Sequence, residues 1–498
     1  MPNKEPEGLS AEEFFKRGEG YTYQDFTLLD TIYTTINEKD ISLRTNLGKG
    51  VALETPIIAA PMDSVANASL CIALALQGGI GAVHFNYKKP DGSPDIKKQI
   101  DEIRKVKRFQ SGFIENPISV SPDFTIAQVV ELMNKYRDDG ISITNFPVTA
   151  DGTSNGKLVG LLRRQDYFAG SRLSYKVKDR MISVSDLAIA QDKINFEEAV
   201  DIIWQKHLQA LPVVDGNGNL EYLVTRSDIE KGEKYPLSTK DKNNRLQVLF
   251  AVNTWPESIE RLREGFAAGA DGVIVDTSQG YEKYADEMLD YIAKNYPDKL
   301  LIGGNISTVP AARHLANLGF VDAYRNGQGS GKSCITEEVI GASRANATGV
   351  YRCSEELRNT SLKTIADGGI KTTGHIIKAL ALGAHAVMLG GMLAGTEEAP
   401  GEVKVGEGGT LVKEYWGMGS KRANTGAKRG YSKAAEGVET QVRYNGSIHK
   451  YIPEIKSALR HGLGVKNCRN IEELQEKLRL GEIRLEKFVG GGTGAVLG

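Results

Sequence analysis

Short apolar runs that end in Gly, Asp or Asn recur along the chain, with helical stretches between them. Buried strands that alternate with helices are typical of a parallel sheet covered by helices. The eight runs begin at Thr55, Gly79, Leu246, Asp271, Leu300, Val321, Leu362 and His385. Eight such units favour an α/β fold of the (β/α)8 TIM barrel type over a doubly wound sheet. In either fold a ligand lies at the carboxyl ends of the strands, where the polar strings DTSQG, GGN, RNGQG, ADGG and LGG stand.

One interval is too long for a single barrel unit, because roughly 160 residues separate the second run from the third. It contains a two-fold repeat with a period of about 65 residues, whose copies begin PISVSPDF at Pro117 and MISVSDLA at Met181. We therefore predict an inserted domain at 112–231 and a barrel formed by 1–111 and 232–498. The repeat resembles a tandem CBS (Bateman) module, which implies a regulatory site for an adenine or guanine nucleotide. Thr225 and Asp228 match the pair that holds a ribose in such modules, and a purely structural insert is the alternative.

Composition narrows the class of protein. Lys and Arg number 62 against 63 Asp and Glu, so the net charge of −1 predicts no nucleic-acid or membrane partner. The polar, acidic start does not resemble a signal peptide. The four Cys (71, 334, 353 and 468) form no CxxC pair, which fits a reducing, cytoplasmic location. The seven His form no metal-binding motif, so we do not expect a catalytic transition metal.

The stretch RNGQGSGKSCITEE supports two interpretations. GSGKS resembles the end of a P-loop, but Asn326 stands where the first Gly of that motif is required. The alternative is a glycine-rich loop that presents the thiol of Cys334 at a strand end, where Lys332 and Arg325 could lower its pKa and make it a nucleophile. A lone Cys is otherwise more often inert filling of the core.

The wider context favours the nucleophile. GQGSGKSCIT, LLIGGN, IADGGI, AVMLGGMLAGTEEAPGE and KEYWGMGS resemble the IMP dehydrogenase/GMP reductase family, and YTYQDFTLLD and GSIHKYIPEI match it near the two ends. The resemblance covers essentially the whole chain, including the insert.

The resemblance implies a covalent oxidation of a purine nucleotide. Cys334 matches the thiolate that adds to C2 of the purine ring, after which hydride leaves for NAD and water releases the product. Thr336 matches a residue that contacts the same intermediate. A flap at about 421–437 would activate the water through Arg429 and Tyr431, with Arg422 as a rival base. These implied roles make Cys334, Thr336, Arg429 and Tyr431 the catalytic residues.

The resemblance also implies the residues that hold each ligand. Asp367 would take both ribose hydroxyls, Gly369, Gly390, Gly391 and Tyr415 the 5′-phosphate, and Met418 and Gly419 the base. Asn305, Arg325 and Glu436 complete the substrate side. Asp276, Thr277 and Ser278 resemble the nicotinamide side. The carbonyls of Gly327, Gly329 and Cys334 resemble a potassium site, and the family implies a homotetramer or octamer.

Several positions depart from the family pattern. Lys332 replaces a phosphate-binding Ser, and we expect it to hold the phosphate as a point charge. Gly430 separates Arg429 from Tyr431, so the base is not fixed by the resemblance. The C-terminal FVGGGTG lacks the usual Glu of a subunit potassium site, which predicts weaker potassium dependence.

Three functions therefore remain open. The preferred one is an IMP dehydrogenase that converts IMP, NAD and water to xanthosine monophosphate (XMP) and NADH. The second is a GMP reductase that uses NADPH and expels ammonia; that chemistry expects a Lys where this chain has Val438, two residues after Glu436. The third is a catalytically poor nucleotide sensor on the same scaffold.

Overall fold

The computed structural model describes residues 8–16, 18–109, 113–115, 117–138, 143–167, 173–191, 194–329, 336–424 and 437–488, without the side chains of residues 196, 228, 231, 336, 421 and 424. Within these residues the chain forms two compact units. One comprises Met1–Val106, Leu237–Asp241 and Gln247–Gly498, and the other comprises Lys107–Pro236 and Lys242–Leu246. The helices in these ranges include none with the length and apolar character needed to cross a bilayer.

The first unit is built on a closed barrel of eight parallel strands, each paired with its neighbours in chain order. The strands are β1 (Ile57–Ala59), β2 (Ile80–Val83), β3 (Leu249–Val252), β4 (Gly272–Val275), β5 (Leu300–Ile306), β6 (Ala323–Asn326), β7 (Lys363–Asp367) and β8 (Ala386–Leu389). All eight predicted runs therefore form barrel strands. Pairing of β2 with β3 closes the ring and excludes the doubly wound sheet.

A helix follows each strand and covers the outside of the barrel. These helices are α1 (Ala68–Leu76), α2 (Ile96–Arg108), α3 (Ser258–Ala267), α4 (Lys283–Asn295), α5 (Val309–Leu318), α6 (Asn346–Leu357), α7 (Thr373–Ala381) and α8 (Ile448–Gly464). Their starts follow local chemistry: Asn67 and Thr372 accept hydrogen bonds from backbone N–H groups in the first turns of α1 and α7. α5 ends at Gly319, whose φ of 75° suits a residue without a side chain.

The interior of the barrel is apolar, with Ile58, Leu249, Ile274, Ile302 and Ile365 all fully buried. A hairpin of Thr45–Gly48 and Val51–Leu53 precedes β1 and adds its own buried side chains to the same core. This hairpin lies at the amino ends of the strands, because Gly48 approaches Leu300 and Asp322 at the starts of β5 and β6. That end is therefore packed shut, and any ligand site must lie at the other end.

Smaller elements complete the first unit. Phe26–Leu28 pairs with Leu485–Lys487. A separate three-stranded sheet contains Lys404–Val405, Leu411–Trp416 and Glu439–Arg443. The helices are Ala11–Phe14, Thr336–Ile340, Gly391–Ala394, Lys421–Asn424 and Ile471–Arg479, with 3₁₀ turns at Glu38–Asp40 and Glu407–Gly409.

The second unit contains two sheets, each built mainly from one copy of the sequence repeat, with one short strand from outside that copy. One sheet contains Asn145–Thr149, Leu158–Arg163 and Ile182–Ser183; the other contains Ala190–Gln191, Ala210–Val214, Leu220–Thr225 and Phe113–Glu115. The helices are Ile126–Asp138, Arg164–Tyr167, Phe196–Gln205 and Arg226–Lys234, with 3₁₀ turns at Val177–Asp179 and Val184–Asp186. Each copy has its own buried cluster, around Phe146 in the first and around Leu211 in the second.

Candidate active site

The carboxyl ends of the barrel strands surround a cavity of about 450 Å³. Its wall comes from the loops after β1 and β4 to β8 and from the three-stranded sheet beyond β8. Twelve of the residues that the sequence assigned to ligands line it: Asp276, Asn305, Arg325, Gly327, Gly329, Asp367, Gly369, Gly390, Gly391, Tyr415, Met418 and Gly419. The structure thus brings together residues that lie up to 143 positions apart in sequence, from Asp276 to Gly419.

Arg325 is the central charged group of this cavity. Its side chain is only 9% exposed, and it donates through Nε and Nη2 to Asp367 Oδ2 at 3.1 and 2.8 Å and through Nη1 to Asp276. Burial alone would lower the pKa of Arg325, but the two carboxylates outweigh burial and raise it above its ordinary value. Arg325 therefore stays a cation and fixes the relative positions of two acids that come from different strands.

Asn305 extends this network toward the neighbouring loop. Its Nδ2 donates to Asp367 Oδ2 and to the carbonyl of Gly327, both at 2.8 Å. Its Oδ1 is buried and has no hydrogen-bond partner among the described residues. A buried acceptor without a donor is costly, so the fixed position of Asn305 comes from the two hydrogen bonds that its Nδ2 donates.

Asp367 also keeps one oxygen for a ligand. Within the described part of the chain, all its side-chain hydrogen bonds reach Oδ2, from Asn305 and Arg325. Oδ1 is left to accept from outside, and one carboxylate oxygen can accept hydrogen bonds from two hydroxyls. The predicted binding of a ribose diol would use this oxygen.

Glycines allow the backbone to approach the cavity after β7 and β8. Gly368 and Gly369 have φ values of 84° and 70°, a conformation that other residues rarely adopt. At Gly390 a Cβ atom would lie 2.7 Å from the hydroxyl oxygen of Tyr415, a side chain that is itself buried. Any residue larger than Gly at position 390 would therefore displace Tyr415.

Thr277 and Ser278, expected on the nicotinamide side, do not line the cavity as Asp276 does. The Thr277 hydroxyl donates to the Gly304 carbonyl at 2.8 Å. The Ser278 carbonyl accepts from Gln328 Nε2 at 3.1 Å. Both residues hold the loops after β4, β5 and β6 together.

Arg422, the rival base, is held as a cation. It stacks on Trp416 with its guanidinium carbon 3.9 Å from the ring centroid and pairs with Glu414 at 2.8 Å and Glu439 at 3.4 Å. Hydrogen bonding to Glu414 is the largest cause of its raised pKa. These contacts fix the position of the Arg422 guanidinium beside the three-stranded sheet.

Some predicted residues lie outside the described residues, namely Lys332, Cys334, Arg429, Tyr431 and Glu436, as do the side chains of Thr336 and Asp228. Most of these residues fall in two segments, 330–335 and 425–436. Gly329 before one segment, and Gly419 and Gly437 around the other, line the cavity. In the second unit, Thr225 Oγ1 lies 2.9 Å from Ser227 Oγ near a strand end.

The potassium prediction concerns backbone oxygens. Gly327 and Gly329 line the cavity, and the Gly327 carbonyl accepts a hydrogen bond from Asn305 among the described residues. A carbonyl has two lone pairs, so a cation at this oxygen stays a prediction that this bond does not exclude. Within the described ranges no group of three or more His, Cys, Asp or Glu side chains could hold a metal ion.

The sequence analysis missed several residues of the cavity wall, including Met62, Lys371, Arg443, Asn445 and Tyr451. Lys371 could have been found, because it follows ADGG by one residue. Arg443 lies in a strand far along the chain, and no local pattern connects it with the barrel.

Comparisons with known proteins agree with this arrangement. A family model described as "IMP dehydrogenase / GMP reductase domain" matches residues 20–489. The inosine-5'-monophosphate dehydrogenase of Caenorhabditis elegans is 34% identical over 515 residues, covering 98% of this chain and 94% of that protein. The Aquifex aeolicus (strain VF5) protein of the same name is 36% identical over 470 residues, covering 93% and 92%. Among solved structures, a cysteine-to-alanine variant of GMP reductase from Trypanosoma brucei in complex with guanosine 5'-monophosphate has a TM-score of 0.87 and 32% identity, covering 96% of this chain and 97% of that chain.

Proposed function

The chain belongs to the IMP dehydrogenase / GMP reductase family, and on this premise we propose that it is an NAD-dependent oxidoreductase that converts IMP to XMP. One observation carries the proposal: Asp367, Arg325 and Asn305 line the same cavity as the glycine loops after β7 and β8. Relatives named as IMP dehydrogenases match more than nine tenths of the chain, which supports the dehydrogenase over other activities of the family.

Different residues of the cavity bind the ribose, the phosphate and the base of the nucleotide. Asp367 Oδ1 accepts the ribose hydroxyls, while Arg325 and Asn305 hold the other oxygen of the same carboxylate in place. Gly369, Gly390, Gly391 and Tyr415 surround the 5′-phosphate, and Met418 and Gly419 contact the base. Lys332 adds a positive charge to the phosphate loop.

Cys334 carries out the covalent step of the proposal. Its sulfur forms a bond to C2 of the purine, and the C2–H bond breaks with its electron pair leaving as hydride. Water then adds at C2, the C–S bond breaks, and the thiol is restored with XMP as product. The proton of that water passes to the flap, where Arg429 and Tyr431 are the candidates.

NAD, when bound, accepts the hydride. Asp276, which lines the cavity, is a described group that fits it, because a carboxamide offers N–H donors to a carboxylate oxygen. Potassium, if used, would be held by the carbonyls of Gly327, Gly329 and Cys334, which are hard oxygen ligands, and would order the loop that carries the thiol.

GMP reductase is the second candidate, favoured by the structural similarity to the Trypanosoma brucei enzyme. The reductase chemistry expects a Lys at position 438, where this chain has a Val that is 41% exposed.

One assay separates the candidates. The protein is mixed with IMP and NAD, or with GMP and NADPH, and the absorbance of reduced nicotinamide is followed. We expect a rise with the first pair only; a fall with the second pair alone would establish the reductase, and no change with either would favour the sensor.

The remaining features of the proposal concern regulation and assembly. The second unit would bind an adenine or guanine nucleotide as a tandem CBS module, with the ribose at Thr225 and Asp228. The enzyme would be a cytoplasmic homotetramer or octamer, and the free, buried thiols of Cys71, Cys353 and Cys468 fit a reducing compartment. Thermal shift with ATP or GTP tests the nucleotide site, and Thr225→Val should abolish the shift without changing IMP oxidation.

A further inference from the structure

Charge is distributed unevenly around the mouth of the barrel. The carboxylates of Asp276 and Asp367 stand at the ends of β4 and β7, and Arg325 at β6 pairs with both. Two more cations, Lys371 and Arg443, line the same cavity, Lys371 in the loop after β7 and Arg443 in the strand that runs beside the turn after β8. On the side of the cavity formed by β7 and β8, the one acid, Asp367, is paired with Arg325, and the other charged groups that line it, Lys371 and Arg443, are positive.

Among the described residues these two cations have no counterion. Neither Lys371 nor Arg443 forms an ion pair with a carboxylate there. The two acids that line the cavity, Asp276 and Asp367, pair with Arg325 instead. Two unpaired cations beside one cavity raise the local concentration of anions.

Backbone contacts position Lys371 and Arg443 at the cavity. Lys371 follows two glycines of positive φ, and its N–H donates to His375 Nδ1 at 3.3 Å, just before α7 begins. Arg443 pairs with Val412 across the sheet, and its carbonyl oxygen would lie 2.1 Å from a Cβ at Gly395. Arg443 therefore lies against Gly395, at the end of the short helix Gly391–Ala394 that follows β8.

We propose that Lys371 and Arg443 form a two-cation subsite for the 5′-phosphate of the substrate and make the enzyme select the doubly charged nucleotide over its nucleoside. The inference rests on the proposed function and adds to it two side chains that recognise charge. Backbone N–H groups of the glycine loops orient a phosphate but carry no full charge, whereas Lys and Arg supply it. Both cations are solvent-exposed, so each contributes a modest factor.

The test compares nucleotide with nucleoside binding. Isothermal titration measures IMP, inosine, GMP and guanosine on the wild-type protein, on Lys371→Gln, on Arg443→Gln and on the double variant. We expect each single change to weaken nucleotide binding about five- to tenfold and the double change about thirtyfold, with nucleoside binding unchanged. Lys97→Gln removes an exposed cation of α2 outside the cavity and is expected to change nothing.

The pH dependence gives a second readout. A phosphate monoester loses its second proton near pH 6, so wild-type affinity for IMP should rise between about pH 5.5 and 7.5. The rise should be smaller in the double variant, and a merely structural role of the two residues would not change it. Unfolding temperatures show that the variants are folded.

The outcomes separate this inference from the proposed function. If only GMP is turned over, the proposed function fails, and the subsite is still judged by the GMP and guanosine pair. A double variant that discriminates nucleotide from nucleoside as the wild type does, or that loses both equally, overturns the subsite. A wild-type protein that binds no nucleotide at this cavity overturns both.

Discussion

At the carboxyl ends of its strands the barrel holds Arg325 between Asp276 and Asp367, whereas at the amino ends Leu47, Val51 and Leu53 close it with apolar side chains. The polar end keeps a group for a ligand, namely Oδ1 of Asp367. At the apolar end the side chains are buried against one another in the barrel core. In this barrel the groups for ligand binding and the packing that stabilises the fold therefore lie at opposite ends of the axis. We expect substitutions at the carboxyl ends to change activity and substitutions at the amino ends to change stability.

The largest effect is expected from the thiol. Cys334→Ser should lower kcat at least a thousandfold, because a hydroxyl is a far weaker nucleophile than a thiolate. The dissociation constant of IMP should stay within about threefold, since the ribose and phosphate contacts remain. Steady-state kinetics and calorimetry measure the two quantities. Residual activity near that of the wild type would remove covalent catalysis from the account.

The next effect concerns the cation that joins the two acids. Arg325→Lys keeps the charge but cannot bond two carboxylates in a fork, so Asp367 loses its fixed orientation. We expect kcat/KM for IMP to fall about a hundredfold. Arg313→Lys is the matched control, because Arg313 pairs with Glu356 on the exposed surface. Equal activities for the two variants would contradict the role given to Arg325.

A change at the amino end should have the reverse profile. Leu53 is fully buried in the barrel core, and Leu53→Ala should lower the free energy of unfolding by about 2–5 kcal/mol. The folded fraction should keep its kcat/KM, since the cavity lies at the other end. Leu480→Ala, at a side chain that is 57% exposed, should change stability by less than about 0.5 kcal/mol. Loss of kcat/KM in folded Leu53→Ala protein would show that the two ends are coupled.

The smallest expected effect is a pH dependence at the amino end. Burial, with a smaller contribution from Lys363, lowers the pKa of His385 to about 4 from its ordinary 6.5, and Nδ1 accepts from the Thr364 N–H at 3.1 Å. Between pH 6.5 and about 4 the unfolded chain binds the proton that the folded chain refuses. The free energy of unfolding therefore falls as pH drops through that window, by up to about 3 kcal/mol for this group.

His385→Asn keeps an acceptor for Thr364 and removes the titration. Denaturant unfolding at several pH values should give a shallower pH dependence for the variant, while the other histidines cancel in the difference. Parallel curves for the two proteins would contradict the assignment.

The sequence predicted the barrel well because its strands are buried on both faces and read as uninterrupted apolar runs, such as those that became β3 and β4. It could not exclude a doubly wound sheet, since closure depends on pairing between β2 and β3 across the long insert. The family prediction is confirmed by the matching family model and the similar proteins.

The site was predictable where chemistry lies in a local string and not where it depends on long-range contacts. Asp367 follows from ADGG, but its pairing with Arg325 requires adjacent strands. The stacking of Arg422 on Trp416 and its pairing with Glu414 and Glu439 are likewise contacts that no local string predicts. Lys371 and Arg443 share a cavity only because the sheet beyond β8 folds back over the mouth.

The central claim is that purine chemistry occurs on Cys334 at the mouth of the barrel. The most direct measurement is mass spectrometry of protein quenched during turnover with IMP and NAD. The account predicts a purine nucleotide adduct on the peptide that contains Cys334, formed with the wild-type protein and not with Cys334→Ser. An active enzyme whose Cys334 peptide remains unmodified at every time point, or an adduct on another residue, would contradict it.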